Sequence, residues 1–148
     1  MEDTSQAGLI GLATRLSKTF HRHSSEAILG ISLRAFVVLA YLHEHGGSVP
    51  QQDLGDAMCL DANSTVLLLH ELEDDEYITR RRDRTDRRRH IIELTDSGRE
   101  VFASVERGRE SIEDTVLAGL NSEERDQLRS LISKALDGVS VPAGAGAE

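Results

Sequence analysis

Seven arginines fall within ten positions: Arg80, Arg81, Arg82, Arg84, Arg87, Arg88 and Arg89. Guanidinium groups packed this closely repel one another, and a loop that needs only solubility has no use for them. The chemistry they offer is the holding of a polyanion, phosphate above all. Residues of strand type flank the cluster, Tyr77-Ile78-Thr79 before it and Ile91-Ile92 after it. The pattern predicts two short strands, Tyr77–Arg82 and Arg89–Thr95, joined by a turn at Asp83-Arg84-Thr85-Asp86. A hairpin with positive charge at its tip is a wing, a device that reaches nucleic acid beside a helix in the major groove. Arg84, Arg87 and Arg88 are the expected DNA contacts, with the tip entering the minor groove and the others on phosphates. Asp86 is expected to accept bonds from a neighbouring arginine and fix the hairpin.

A wing needs a reading helix, and the preceding residues supply a candidate. Asp61 can cap a helix running to about Asp75, with Leu68, Leu69 and Leu72 as its inward stripe. Its first turns carry Ala62, Asn63, Ser64 and Thr65, which are expected at base edges or phosphates, Asn63 as the best adenine reader. A shorter helix over about residues 50–58 comes before it, with Leu54, Ala57 and Met58 inward and Pro50 near its start. Two short helices separated by a tight turn form a helix-turn-helix.

The other elements must hold this pair in place. Apolar spacing predicts a long first helix over 7–29, a second over 33–45 capped by Ser32, a long helix from Thr95 to about Leu120, and a last helix over 122–136. Residues 138–148 read as a disordered tail. The three outer helices have more apolar surface than one copy can use, so a homodimer is expected. The fold class is mainly α with a small β-hairpin wing: one winged helix-turn-helix domain over 1–148. Residues 31–95 would form the DNA-binding part, and 7–29 and 96–136 the dimerisation helices.

Composition removes several other functions. With 148 residues, 3% aromatics and no Trp, the chain is poorly suited to stacking single-stranded bases. The net charge of −9 is unusual for a DNA binder. Residues 80–89 hold seven positive and two negative charges, +5, so the rest sums to −14 and positive charge is segregated. No apolar run has transmembrane length and no signal peptide is apparent, which predicts a cytoplasmic protein without membrane contact. Cys59 is alone, which excludes an internal disulfide; it reads as a small buried apolar residue rather than a redox sensor. His21-x-His23 and His43-x-His45 lack the spacing that joins imidazoles on a helix face, so no metal and no cofactor are expected. No nucleophile motif, phosphate loop or HExxH is present, and no enzymatic activity is expected.

The order of elements resembles that of the MarR family of winged-helix transcriptional regulators. The likeness is strongest over residues 83–100, DRTDRRRHIIELTDSGRE, in Asp86-Arg87-Arg88, Leu94-Thr95 and Gly98. Leu72-Glu73 and Gln52-x-Leu54 add to it, and it extends over roughly residues 7–136. The resemblance implies a homodimeric repressor, less often an activator, on double-stranded palindromic DNA, released by a small aromatic or phenolic effector. The effector would lie between the dimerisation helices and the winged part, where Arg15, His21, Arg34 and His43 could line a pocket. Two residues depart from the pattern. Glu76 stands where relatives usually have glycine, and Leu67 where many have a polar residue or arginine. Both leave the reading helix poorer in donors, and the alternative is a winged-helix protein-interaction module with weakened DNA reading.

Overall fold

In the computed structural model, which describes residues 8–139, helices surround a small antiparallel sheet. The order is α1 (Gly8–His23), α2 (Glu26–Leu29), α3 (Leu33–Glu44), β1 (Ser48–Pro50), α4 (Gln51–Ala57) and α5 (Ala62–Asp74). It continues with β2 (Ile78–Arg82), β3 (His90–Leu94), α6 (Asp96–Ser104), α7 (Glu106–Val116) and α8 (Ser122–Asp137). The fold is a mainly helical winged helix-turn-helix. The tail expected over 138–148 lies outside the described residues from 140 onward.

Leu39 and Leu42 of α3, Leu54 of α4, Leu69 and Leu72 of α5 and Ile92 of β3 are almost wholly buried. Each contributes about 1.5–3 kcal/mol by leaving water, which binds the helix-turn-helix to the sheet. The sheet runs β1-β3-β2, with Val49 opposite Ile92 and Ile78 opposite Leu94. The sequence reading missed β1. It has three residues, too few for a period-2 signal, and it exists because β3 offers a second edge.

Two expected long helices are each broken. The first stops at His23 because Ser24 turns its hydroxyl onto the Phe20 carbonyl and Ser25 is extended, after which α2 adds one turn. The helix from Thr95 divides at buried Val105, beside which the Ser104 hydroxyl donates to the Val101 carbonyl at 2.7 Å. Local hydroxyl bonds redirect the chain there while the apolar spacing continues undisturbed.

Helix ends follow one rule three times. After α3, α4 and α5 the residue beyond the cap takes a positive φ: Gly46 at 82°, Cys59 at 55° and Glu76 at 63°. In each case the following amide donates back to the helix: Gly47 to Leu42, Leu60 to Gly55, and Tyr77 to Leu72. Cys59 is therefore an exposed turn residue, not the buried apolar group expected of it. Among the described residues, no helix is long and apolar enough to cross a membrane.

Candidate nucleic-acid interface

Asp61 starts α5 by accepting the Ser64 amide at 2.7 Å, and this bond holds its carboxyl below the usual range. The buried face of α5 carries Thr65, Leu68, Leu69 and Leu72. Ala62 and Asn63 are exposed at its first turn and Ser64 is half-buried. Thr65 departs from the expectation of a base contact. It is buried, its hydroxyl donates to the Asp61 carbonyl at 2.8 Å, and it lies against Gly55 of α4. Its phase with Leu68, Leu69 and Leu72, at steps of 3, 4 and 7, carried that information in the sequence.

The wing is set by strand alternation. Arg80 pairs with Ile92 and Arg82 with His90 on one face, while Arg81 lies on the other. Arg80 turns inward and donates from Nε to Gln51 of α4 at 2.8 Å, with the His90 ring 3.5 Å from its other end. Arg81 is bound to Glu93 at 2.7 Å. Arg82 donates to the Arg87 carbonyl at 3.1 Å. These three arginines shape the wing.

The loop beyond them is held by its two aspartates. Asp83 accepts from the amide and hydroxyl of Thr85 at 3.0 and 2.9 Å, and those bonds keep its carboxyl acidic. Asp86 accepts from the Arg88 amide at 3.1 Å and lies 3.4 Å from its guanidinium, a weak contact on a side chain 93% exposed. Arg84, Arg87 and Arg89 have no side-chain hydrogen bond or ion pair among the described residues, so their charge is fully available. Arg89 was not among the expected contacts. Its signal was its place just before β3, where the loop ends and the last arginine stays outside the ladder.

Arg88, Arg89 and His90 share a cleft with Gln51, Ala62 and Thr65, so the start of α5 and the wing border one surface. Burial first, and then Arg80 and Arg82, hold the His90 pKa below its ordinary value. At the wing's base Thr95 acts twice: its hydroxyl donates to the Glu76 carbonyl at 2.6 Å and accepts the Gly98 amide at 2.9 Å. A Cβ at Gly98 would collide with the Tyr77 carbonyl, so the Leu-Thr-x-x-Gly spacing is a packing requirement of the wing's root.

The expected effector residues are not drawn into one cleft. Arg15 and His21 are exposed on α1, Arg34 is exposed at the start of α3, and His43 lies with its ring 5.0 Å from that of Phe102. Among the described residues no three His, Cys, Asp or Glu side chains gather as metal ligands would.

Comparison with known proteins agrees with this architecture. Residues 31–90 match the MarR family. The chain is 31% identical to the transcriptional regulator YdgJ of Bacillus subtilis, over 74% of this chain and 66% of YdgJ. It is also 31% identical to the HTH-type transcriptional regulator BilQ of Clostridium symbiosum, over 71% of this chain and 72% of BilQ. A mutant MarR from E. coli complexed with operator DNA has the same fold, with a TM-score of 0.70, 19% identity and coverage of 86% of this chain and 93% of that one. So has CouR from Rhodococcus jostii bound to p-coumaroyl-CoA, with a TM-score of 0.65, 22% identity and coverage of 90% and 92%. A helix-turn-helix, an arginine wing and these relatives converge: the chain belongs to the MarR family of transcriptional regulators, which are not enzymes.

Proposed function

We propose that two copies of this chain bind one two-fold symmetric site on double-stranded DNA, repress transcription there, and leave it when a small aromatic or phenolic ligand binds. The observation that carries the dimer is the state of α1 and α8, which bury none of their residues in the single chain. Leu9 and Ile10 are 83% exposed, and Leu131 and Leu136 are 64% and 67% exposed. A second copy covering these faces supplies the second wing and the second reading helix. The operator complex of E. coli MarR supports the same use of the shared fold.

For the ligand we assign the cleft between α1, α7 and α8 rather than the scattered Arg15, His21, Arg34 and His43. Leu16, Phe20, Leu117 and Leu128 give it apolar walls, and at its edge Arg109 is paired with Glu106 and Glu113, Arg125 with Asp114 and Arg129 with Asp126. Apolar walls beneath a rim of ion pairs suit an aromatic ring whose phenolic hydroxyl can bond to the rim. Release requires tighter binding to the arrangement that cannot hold DNA; a tenfold loss of operator affinity needs about 1.4 kcal/mol of coupling.

Sedimentation tests the dimer, footprinting on genomic fragments tests the site, and titration with aromatic acids and phenols tests release. The reading predicts a dimer, a footprint of two half-sites about one helical turn apart, and weakened binding with at least one ligand. A monomer, or equal affinity for every duplex, overturns it. Equal affinity would favour the protein-interaction reading, which the acidic end of α5 supports.

A further inference from the structure

Leu67 of α5 is 65% exposed, and among residues 45–95 no other large hydrophobic side chain is exposed. At 100° per residue, the buried stripe of Thr65, Leu68, Leu69 and Leu72 fixes the opposite face as Asn63, Leu67, His70 and Asp74. Leu67 therefore stands at the centre of the outward face, one turn beyond Asn63 and about 6 Å along the axis.

The surroundings say what this side chain meets. The amino end of α5, capped by the Asp61 carboxylate, borders the same cleft as Arg88 and Arg89, and those guanidinium groups draw a phosphate backbone beside it. The carboxyl end carries Glu71, Asp74 and Asp75 and repels one. Only the first two turns can then enter a groove, and Leu67 is the last exposed apolar side chain before the acidic end. It has no hydrogen-bonding group with which to read a base edge. The one apolar group that the major groove presents is the C5-methyl of thymine.

We propose that Leu67 is a specificity-determining residue that reads a thymine methyl beside the base contacted by Asn63. This rests on the DNA-binding reading above. It turns the loss of a donor at this position into a different preference, thymine at one fixed place in each half-site. Burying one methyl group changes affinity by about fourfold.

Duplexes selected from a random pool by the full chain provide the probe. Each thymine of the selected site is replaced in turn by deoxyuridine, which removes only the methyl. Binding is measured for the wild type, Leu67→Ala and Asn63→Ala at fixed salt. The expected result is one thymine per half-site where deoxyuridine weakens the wild type about fourfold and Leu67→Ala not at all, with Asn63→Ala remaining sensitive. Alanine favours helix, and position 67 is exposed, so circular dichroism should be unchanged. If specific sites are selected but deoxyuridine is tolerated throughout, or Leu67→Ala keeps the wild-type sensitivity, the proposal is overturned and DNA binding stands. If Leu67→Ala instead changes the sedimentation coefficient and not the deoxyuridine profile, Leu67 belongs to an interface between copies and the proposal also fails. If no sequence is enriched, both readings fall.

Discussion

Glu76 offers a perturbation whose two consequences can be measured separately. It follows the cap of α5 with φ of 63°, its amide donates to the Glu73 carbonyl at 2.9 Å, and the Tyr77 amide donates to Leu72 at 3.0 Å. Its own carbonyl accepts the Thr95 hydroxyl at 2.6 Å, so the left-handed turn is locked to the base of the wing. An L residue in this conformation costs roughly 1–2 kcal/mol, which glycine avoids. Glycine loses roughly 0.5–1 kcal/mol in unfolded-chain entropy, so Glu76→Gly should stabilise the protein by about 0.5–1 kcal/mol net. For a chain of this length that is a rise in Tm of about 1–4 °C at fixed protein concentration. Glu76→Asn should fall between, since asparagine enters this region more readily, and Glu76→Ala should gain nothing from the backbone.

The charge effect runs on a different readout. Glycine, asparagine and alanine at position 76 all remove one of five carboxylates between Glu71 and Glu76, so all three should raise DNA affinity at low salt equally. Urea denaturation at two salt concentrations, alongside anisotropy with a bound duplex, completes the comparison. If Glu76→Ala stabilises as much as Glu76→Gly, and high salt abolishes both gains, the effect is carboxylate repulsion and the argument from φ is wrong.

Arg88→Ala should lower the slope of log affinity against log salt by about 0.9, so that the ratio of wild-type to variant affinity shrinks about 3.5-fold between 50 and 200 mM salt. Arg81→Ala, whose guanidinium Glu93 already holds, should leave the slope unchanged; equal slopes for all three proteins would refute the division of the arginines. Gly108→Ala should destabilise by about 1–3 kcal/mol in urea titration, because a Cβ there meets the backbone of Ile28 and Leu29. Gly119→Ala, where a Cβ meets nothing within 4 Å, is the control that should be tolerated. His90, with its pKa lowered by burial and by Arg80 and Arg82, should contribute its full stability above about pH 6.5 and lose it as pH falls through the lower folded value. The difference in urea midpoint between wild type and His90→Gln should therefore narrow from pH 7.5 to 5.5.

What the sequence disclosed and what it hid divide along physical lines. Helix order and the wing were legible because leucine spacing and an arginine cluster between β-branched residues are local signals. The caps at Ser32 and Asp61 were legible for the same reason, and each accepts the amide three residues on. The breaks at Ser24 and Val105 were not, since a serine hydroxyl bonding back along its own helix leaves the apolar period intact. Strand β1 was invisible because only its partner β3, more than forty residues away, makes Ser48–Pro50 a strand. The division of labour within the arginine cluster was equally hidden. Composition counts seven like charges, whereas the register with β3 decides that Arg80 faces Gln51 and Arg81 faces Glu93.

That division bears on how a chain of net charge −9 can hold DNA at all. Arg81 is neutralised by Glu93, Arg80 is turned inward and Arg82 is tied to the Arg87 carbonyl, so the loop's working charge is Arg84, Arg87 and Arg89, with Arg88 only weakly held by Asp86. Four guanidinium groups on one loop suffice for a phosphate clamp, and the nearby acidic end of α5 then acts as a constraint on pose. Repulsion at Glu71, Asp74 and Asp75 penalises any docking that lays the whole helix along the groove. Attraction at the wing, which borders the amino end of α5, favours docking by its first two turns. The surplus of negative charge elsewhere weakens binding to any duplex that offers only phosphates. That repulsion falls on specific and non-specific complexes alike and lowers both affinities by about the same factor. The ratio between them then rests on the contacts proposed for Asn63 and Leu67 and on the poses that Glu71, Asp74 and Asp75 penalise.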